Sequence, residues 1–310
     1  MGLRVETLHP LRELISVTIT QRTLHHRNPF VRKGHSLLAR FPRLCRRLAA
    51  DAHCYERLPP VLCNSCPKSG THLLVQIAEA LPGVTNYGSF LASMTSSIRF
   101  RERSRNSTLK LIGRIAPAEL VTAHLFLDKT YQEALRRLNV VHFLILRDPR
   151  DVVVSEAHYL TSMSYWHRLH PHFKRLPSLE ERISLAIRGA SSAAIPLDYP
   201  DIAHRFNRYT SWLNCAHVFS IRFEDLVSDR RAESVRALVE FYASRSGISV
   251  DVQQATQHAL DNIRPAASHT FRSGKTGTWR NVFTPRLREE MKIVAGQLLI
   301  ELGYEEDLSW

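Results

Sequence analysis

Three short stretches concentrate the residue types that bind anions: Cys66-Pro67-Lys68-Ser69-Gly70-Thr71-His72, Arg147-Asp148-Pro149-Arg150-Asp151 running on to Ser155, and Arg272-Ser273-Gly274-Lys275-Thr276-Gly277. Around the first, Val61-Leu62-Cys63 reads as a short strand and Leu73-Leu74-Val75-Gln76-Ile77-Ala78 as the opening turns of a helix. A tight turn between them makes an anion pocket. Gly70 lets the backbone approach a ligand closely, and the unpaired N–H groups of the helix start point at it. Lys68 adds a full positive charge, and Ser69 and Thr71 add hydroxyl donors. This is not the common triphosphate loop, which needs a glycine, four residues and then Gly-Lys-Ser/Thr. Here the lysine comes before Ser-Gly-Thr and no partner glycine precedes it. For the segment alone, a strand-to-helix turn with a solvated lysine stays open.

The second stretch follows Val140-Val141-His142-Phe143-Leu144-Ile145-Leu146, a near-continuous apolar run of the kind found in a parallel sheet covered on both faces. Asp148 suits the cap and Pro149 the first turn of the helix that follows. Arg147 and Ser155 then sit at the two ends of a strand–turn–helix, where both reach one anion beside the sheet's C-terminal edge. The third stretch offers a second basic, glycine-permitted anion contact. Two separate anion pockets imply a ligand phosphorylated at both ends.

The elements that must position these stretches alternate in type. Strands are expected near 61–63, 120–125, 140–146 and 218–226, and helices over 131–138, 179–194, 232–245, 251–262 and 285–302. Such alternation predicts a doubly wound parallel sheet. Residues 84–107, punctuated by Ser, Arg and Gly, read as a mobile connection with apolar anchors. Leu37, Leu38, Phe41, Leu44 and Leu48 recur at helical spacing among arginines, predicting one basic amphipathic helix. Its expected role is a solvated face packed onto the domain, with an acidic membrane or polymer as the alternative partner.

The 310 residues suit one large α/β domain, with 44% hydrophobic and 23% charged residues. A net charge of +13 predicts an anionic partner. No window offers the ~18 uninterrupted apolar residues of a membrane span, and residues 1–23 lack a signal-peptide pattern, so a cytoplasmic address is expected. Five cysteines argue against a disulfide framework. Cys63 and Cys66 form one C-x-x-C with no second pair to complete a zinc site, and His167, His170 and His172 read as part of a loop rather than a metal cluster.

With these residues in view, the chain resembles the adenosine-phosphosulfate-dependent sulfotransferases, most nearly their soluble branch. Pro67-Lys68-Ser69-Gly70-Thr71 looks like the family's 5′-phosphosulfate loop, and Arg147 through Ser155 like its 3′-phosphate motif. Phe271-Arg272-Ser273-Gly274 through Thr284 resembles its C-terminal signature, and Arg222-Phe223-Glu224-Asp225-Leu226 its Arg-Tyr-Glu-Asp-Leu strand. The resemblance implies a three-layer α/β sandwich with a central parallel sheet, the P-loop-like sulfotransferase fold. It spans residues 59–310, with 1–58 as a basic helical extension packed on it.

The resemblance also implies transfer of a sulfuryl group from 3′-phosphoadenosine 5′-phosphosulfate to an acceptor hydroxyl on a small molecule, lipid or glycan. The product nucleotide would be adenosine 3′,5′-bisphosphate, and no metal is expected. Lys68, Ser69, Gly70, Thr71 and His72 would hold the 5′ end, and Lys68 would stabilise the leaving phosphate. Arg147, Ser155, Arg272, Ser273 and Gly274 would hold the 3′-phosphate, with Phe223 nearby; Ser155 would also restrain the lysine. His124, in Ala123-His124-Leu125, would be the base.

Departures from the family are Thr122 for a lysine near the base, His72-Leu73 for Thr-Trp, Phe223 for tyrosine and Ser273 for lysine. Pro285 replaces the valine of the family's dimer motif, and the oligomeric state stays open. Tyr165, Trp166 and residues 85–105 are expected to form an acceptor lid. No nucleic-acid partner is expected, although a member repurposed to bind nucleotide, nucleic acid or acidic membrane is the alternative reading. A metal-dependent nucleotide kinase ranks below it.

Overall fold

The structure is a computed structural model that describes residue 34 and residues 38–190, 197–264 and 274–310. Two short helices, α1 (Arg40–Leu48) and α2 (Ala52–Arg57), precede the first strand, β1 (Val61–Ser65). There follow α3 (Thr71–Glu79), β2 (Thr85–Ala92), α4 (Arg105–Ile112), β3 (Glu119–His124), α5 (Lys129–Arg137) and β4 (Val141–Leu146). Next come α6 (Pro149–Ser162), α7 (His170–Arg175), α8 (Leu179–Arg188), α9 (Ile202–Thr210) and β5 (Val218–Arg222). The chain closes through α10 (Phe223–Leu226), α11 (Arg231–Arg245), α12 (Val252–Asp261) and α13 (Pro285–Glu301).

The five strands form one sheet in the order β2-β3-β1-β4-β5, and every pairing is parallel. Side chains alternate across a pleated strand, so a central strand feeds two cores at once. Leu62 of β1 and Leu144 of β4 pack on one face with α6, α8, α9 and α13. Val61, Cys63, Phe143 and Ile145 pack on the other with α3, α11 and α12. This is the expected three-layer α/β arrangement, and it brings the C-terminal ends of β1, β3 and β4 side by side.

The structure departs from expectation in three places. Residues 85–92, read as a mobile connection, form edge strand β2 on β3. The register shifts between Asn86 and Ser89, where Gly88 takes φ 73°, and this bulge hides the alternation that marks a strand. The strand expected to reach residue 226 stops at Arg222 and turns into α10. Helix α1 sits against the domain by its arginines, leaving Leu38, Phe41 and Leu48 exposed. Arg43 and Arg47 donate to the carbonyls of Arg114 and Gly113 at the end of α4, where a helix terminus favours cations. Arg43 also pairs with Glu119 at 2.6 Å, and Arg46 bonds Thr85 Oγ1 and Tyr87 Oη. Expected positions 1–33 and 35–37, the stretch 191–196, and residues Arg272 and Ser273 lie outside the described residues.

Candidate active site

Strand β1 is buried throughout and ends in two polar residues, Asn64 and Ser65, neither exposed to solvent. Asn64 clamps the backbone just beyond β3: its Nδ2 donates to the Leu125 carbonyl at 3.0 Å, and its Oδ1 accepts from the Leu125 N–H at 2.8 Å. That clamp fixes the residue before it, His124. The Nδ1 of His124 lies 2.9 Å from the Ser65 carbonyl, an atom that can only accept, so Nδ1 carries the proton and Nε2 keeps its lone pair. Burial, reinforced by the nearby Lys68 ammonium, lowers the imidazole pKa to about 4, which leaves the ring neutral at pH 7. Phe90 of β2, itself 57% exposed, meets the ring edge-on at 5.4 Å between centroids.

Beyond Ser65 the chain turns through the loop expected to bind phosphate. Ser65 Oγ is 2.6 Å from Thr71 Oγ1 and 3.2 Å from His124 Nδ1, so one hydroxyl joins the loop's far side to the imidazole. Lys68 holds φ 73°, an uncommon backbone state for a residue with a side chain. Gly70 holds φ 101°, and a Cβ there would lie 2.5 Å from the Phe223 ring. Only glycine fits this turn, both by conformation and by space. The Ser69 hydroxyl is fully buried and has no partner among the described residues. Such an orphan donor is costly unless a ligand meets it. The Lys68 ammonium stands 4.0 Å over the Tyr159 ring, and Ser155 lies one turn before Tyr159 on the same face of α6. His72 is partly exposed in the first turn of α3.

The second turn is more tightly bound. Asp148 caps α6 by accepting from the Arg150 N–H at 2.8 Å, with Pro149 in the first helical turn, as the sequence predicts. Arg147 donates to the carbonyls of Lys68 (3.4 Å) and Lys275 (2.9 Å) and lies 4.5 Å from the Phe223 ring centroid. Its Nε is buried without a partner among the described residues. Asp151 is buried and accepts three hydrogen bonds from the C-terminal loop: Gly277 N–H at 2.8 Å, Thr278 Oγ1 at 2.7 Å and Trp279 N–H at 3.0 Å. Arg150 pairs with Asp148 and Glu305 and lies against the rings of both Trp279 and Trp310. Gly274, at φ 62°, begins the described part of this loop.

Lys68, Ser69, Gly70, Thr71, Arg147, Phe223 and His124 therefore converge at the C-terminal edge of the sheet, where open parallel sheets bind ligands. Arg272 and Ser273 lie outside the described residues. Sequence reasoning missed Asn64, Ser65, Asp151 and Tyr159. For Asn64 and Ser65 the available signal was two polar residues ending an apolar strand.

A sulfotransferase-domain family model matches residues 58–303, most of the chain. The chain belongs to the sulfotransferase family. Among solved structures, this sulfotransferase is similar to mouse sulfotransferase SULT7A1 complexed with PAP, at 19% identity and TM-score 0.53, covering 77% of this chain and 84% of that one. It is also similar to retinol dehydratase in complex with androsterone and the inactive cofactor PAP, at 14% identity and TM-score 0.51, covering 78% and 81% of the two chains. These likenesses show the fold. No curated protein matches the chain. All five cysteines are free, and burial raises the pKa of Cys63 and Cys66, which keeps both as inert thiols. His167 Nδ1 accepts from the Leu169 N–H, and His170 Nδ1 bonds the Leu160 carbonyl. Among the described residues, no group of three or more His, Cys, Asp or Glu side chains is arranged to hold a metal ion.

Proposed function

We propose that this sulfotransferase uses 3′-phosphoadenosine 5′-phosphosulfate as donor and an alcohol as acceptor, with His124 taking the acceptor's proton. The carrying observation is the state of His124: a neutral ring whose Nδ1–H is held by Ser65, leaving Nε2 free to accept a proton. The Lys68 loop starts one residue beyond Ser65, so the base and the proposed donor site share one strand end.

Two buried donors without partners among the described residues, Ser69 Oγ and Arg147 Nε, fit a ligand bearing phosphate oxygens at two separate points. Lys68, Ser69, Gly70, Thr71 and His72 would hold the 5′ end. Arg147, Ser155 and Gly274, with Arg272 and Ser273, would hold the 3′-phosphate, with Phe223 packed beneath the loop and Arg147. Bound there, the donor supplies a sulfuryl group on an activated phosphate. Positioning and charge stabilisation then do most of the work, by analogy with phosphoryl transfer. The Lys68 ammonium and the N–H groups at the start of α3 stabilise negative charge growing on the departing phosphate oxygen. His124 Nε2 removes the hydroxyl proton as the acceptor oxygen attacks. The Phe90 ring gives the acceptor an apolar wall beside the imidazole.

Isothermal titration with adenosine 3′,5′-bisphosphate, followed by labelled-donor transfer to panels of phenols, lipids and glycans, tests this reading. His124→Ala is expected to lower kcat by about 10²–10⁴-fold while keeping bisphosphate affinity. Near-wild-type turnover in that variant removes His124 from the mechanism. Absence of bisphosphate binding sinks the donor assignment.

A further inference from the structure

Large exposed apolar side chains are not scattered over the described surface. Nine of the twelve lie in three pieces: α1 with the residue two positions before it, strand β2, and the loops at 96–101 and 163–168. Leu38, Phe41 and Leu48 are each more than 70% exposed, and Trp166 is 83% exposed. Isolated exposed leucines need no explanation, but a concentration of this kind marks a surface meant to be covered.

The pieces adjoin. Arg46 of α1 bonds Thr85 and Tyr87 of β2, and a cavity of about 190 Å³ is lined by Arg40 of α1 together with Phe90 of β2. The loop after β2 joins the loop after α6 through the Arg168 N–H to Ser97 carbonyl bond at 2.8 Å, and Phe100 packs on His167 at 4.8 Å. The exposure of α1 is built in. Its arginines bind Glu119 and the carbonyls at the end of α4, so turning Phe41 and Leu48 inward would break those bonds.

Charge decides what covers this face. Residues 38–48, 96–105 and 163–175 hold eleven Arg or Lys and one acid, Glu102, which pairs with Arg208; two of the eleven, Arg43 and Arg105, pair with Glu119 and Asp128 outside these segments. A second copy of this chain would set the same cations against themselves. A polyanion would use the arginines and leave Leu38, Phe41 and Leu48 in water. We propose that this face docks on an anionic lipid bilayer, with the apolar ridge of α1 and the Trp166 loop entering the interface and the exposed Arg40, Arg99, Arg101, Arg168, Lys174 and Arg175 meeting headgroup phosphates. Aliphatic side chains flanked by arginine, with Trp and Tyr at the rim, are the residue types that bind there. Because Phe90 also touches His124, the docked face adjoins the base, a link that alone rests on the transfer reading.

The test uses the full chain without nucleotide, so it is independent of the donor assignment. Vesicles of phosphatidylcholine, with and without about 30% phosphatidylglycerol, are mixed with the protein and sedimented. We expect at least about tenfold tighter association with the anionic vesicles, weakening as salt is raised. Tryptophan emission should shift to the blue, because Trp212 and Trp279 are buried while Trp166 is exposed. The double variant Phe41→Ser/Trp166→Ser should lose about tenfold in vesicle affinity with Tm and bisphosphate affinity unchanged. Three results overturn the proposal. One is no vesicle association. The second is association that the double variant leaves intact and heparin abolishes, which marks a polyanion site. The third is a concentration-dependent dimer that the same substitutions dissolve.

Discussion

The two strand–turn–helix units at the sheet's C-terminal edge are built to opposite rules. The turn after β1 is open in its bonding: Lys68 and Gly70 hold left-handed backbone, and the Ser69 hydroxyl is buried without a partner among the described residues. The turn after β4 is saturated: Asp148 caps α6, Arg150 lies against two indoles and pairs with two carboxylates, and Asp151 accepts three hydrogen bonds. Arg147 lies between these extremes, with two nitrogens on carbonyls and one unmatched. The difference separates a turn that keeps donors for a ligand from one that holds its arginine still. Strain and orphan donors belong where a ligand relieves them, whereas a buried carboxylate is tolerable only when its partners are complete.

The largest expected effect falls on the open turn. Lys68→Ala should lower kcat by about 10²–10³-fold with little change in Tm, since its ammonium stands over the Tyr159 ring and the residue is only partly buried. A collapse in Tm would show that the open turn is structural after all. On the saturated turn the pattern should invert. Asp151→Asn places an amide donor against the Gly277 N–H, while its oxygen still accepts from Thr278 and Trp279, and should cost about 2–4 kcal/mol in a denaturant titration. Bisphosphate affinity should fall about tenfold as residues 277–279 loosen, with kcat at saturation held within a few-fold.

Two histidines differ in the same way. His124 has Ser65 as partner, whereas His142 in β4 is buried beside Trp212 with both ring nitrogens unmatched among the described residues. Burial, with help from His217, lowers the His142 pKa from 6.5 to about 3. The unfolded chain therefore binds more protons than the folded one between those values. This histidine leaves stability untouched above pH 6.5 and lowers it progressively as pH falls toward 3. His142→Phe should flatten the Tm–pH curve in that window. The smallest effect carries the sharpest sign. Ser69→Ala removes an unmatched hydroxyl, so the nucleotide-free protein should hold its stability or gain about 1 kcal/mol, while bisphosphate binding weakens about tenfold. Loss of stability in the nucleotide-free state would mean that the turn is not kept for a ligand.

Much of this site could be read from the chain because its strands are buried on both faces. Val61–Ser65 and Val141–Leu146 are continuous low-exposure runs, and each is followed at once by its anion-binding residues. Edge strand β2 escaped because a bulge at Gly88 breaks its period and only Leu91 and Ala92 of its residues are buried. Tyr159 and Asp151 sit within or beside a recognisable motif, yet their partners come from distant chain. Lys68 is far from Tyr159 in sequence, and Asp151 receives donors 126–128 residues away. Local pattern carries no trace of such pairings. The inverted packing of α1 was missed for another reason: spacing identifies an apolar face without saying which way it points.

The bonds of Asp151 also order events in time. During synthesis, β1, β3 and β4 with their turns emerge before residue 150, and domains begin to fold as they leave the ribosome. The Asp151 carboxylate must then wait for Gly277, Thr278 and Trp279 before it can be buried without loss. The proposed nucleotide pocket is therefore among the last parts to close. A nascent chain short of these residues carries the phosphate loop without the means to trap a nucleotide.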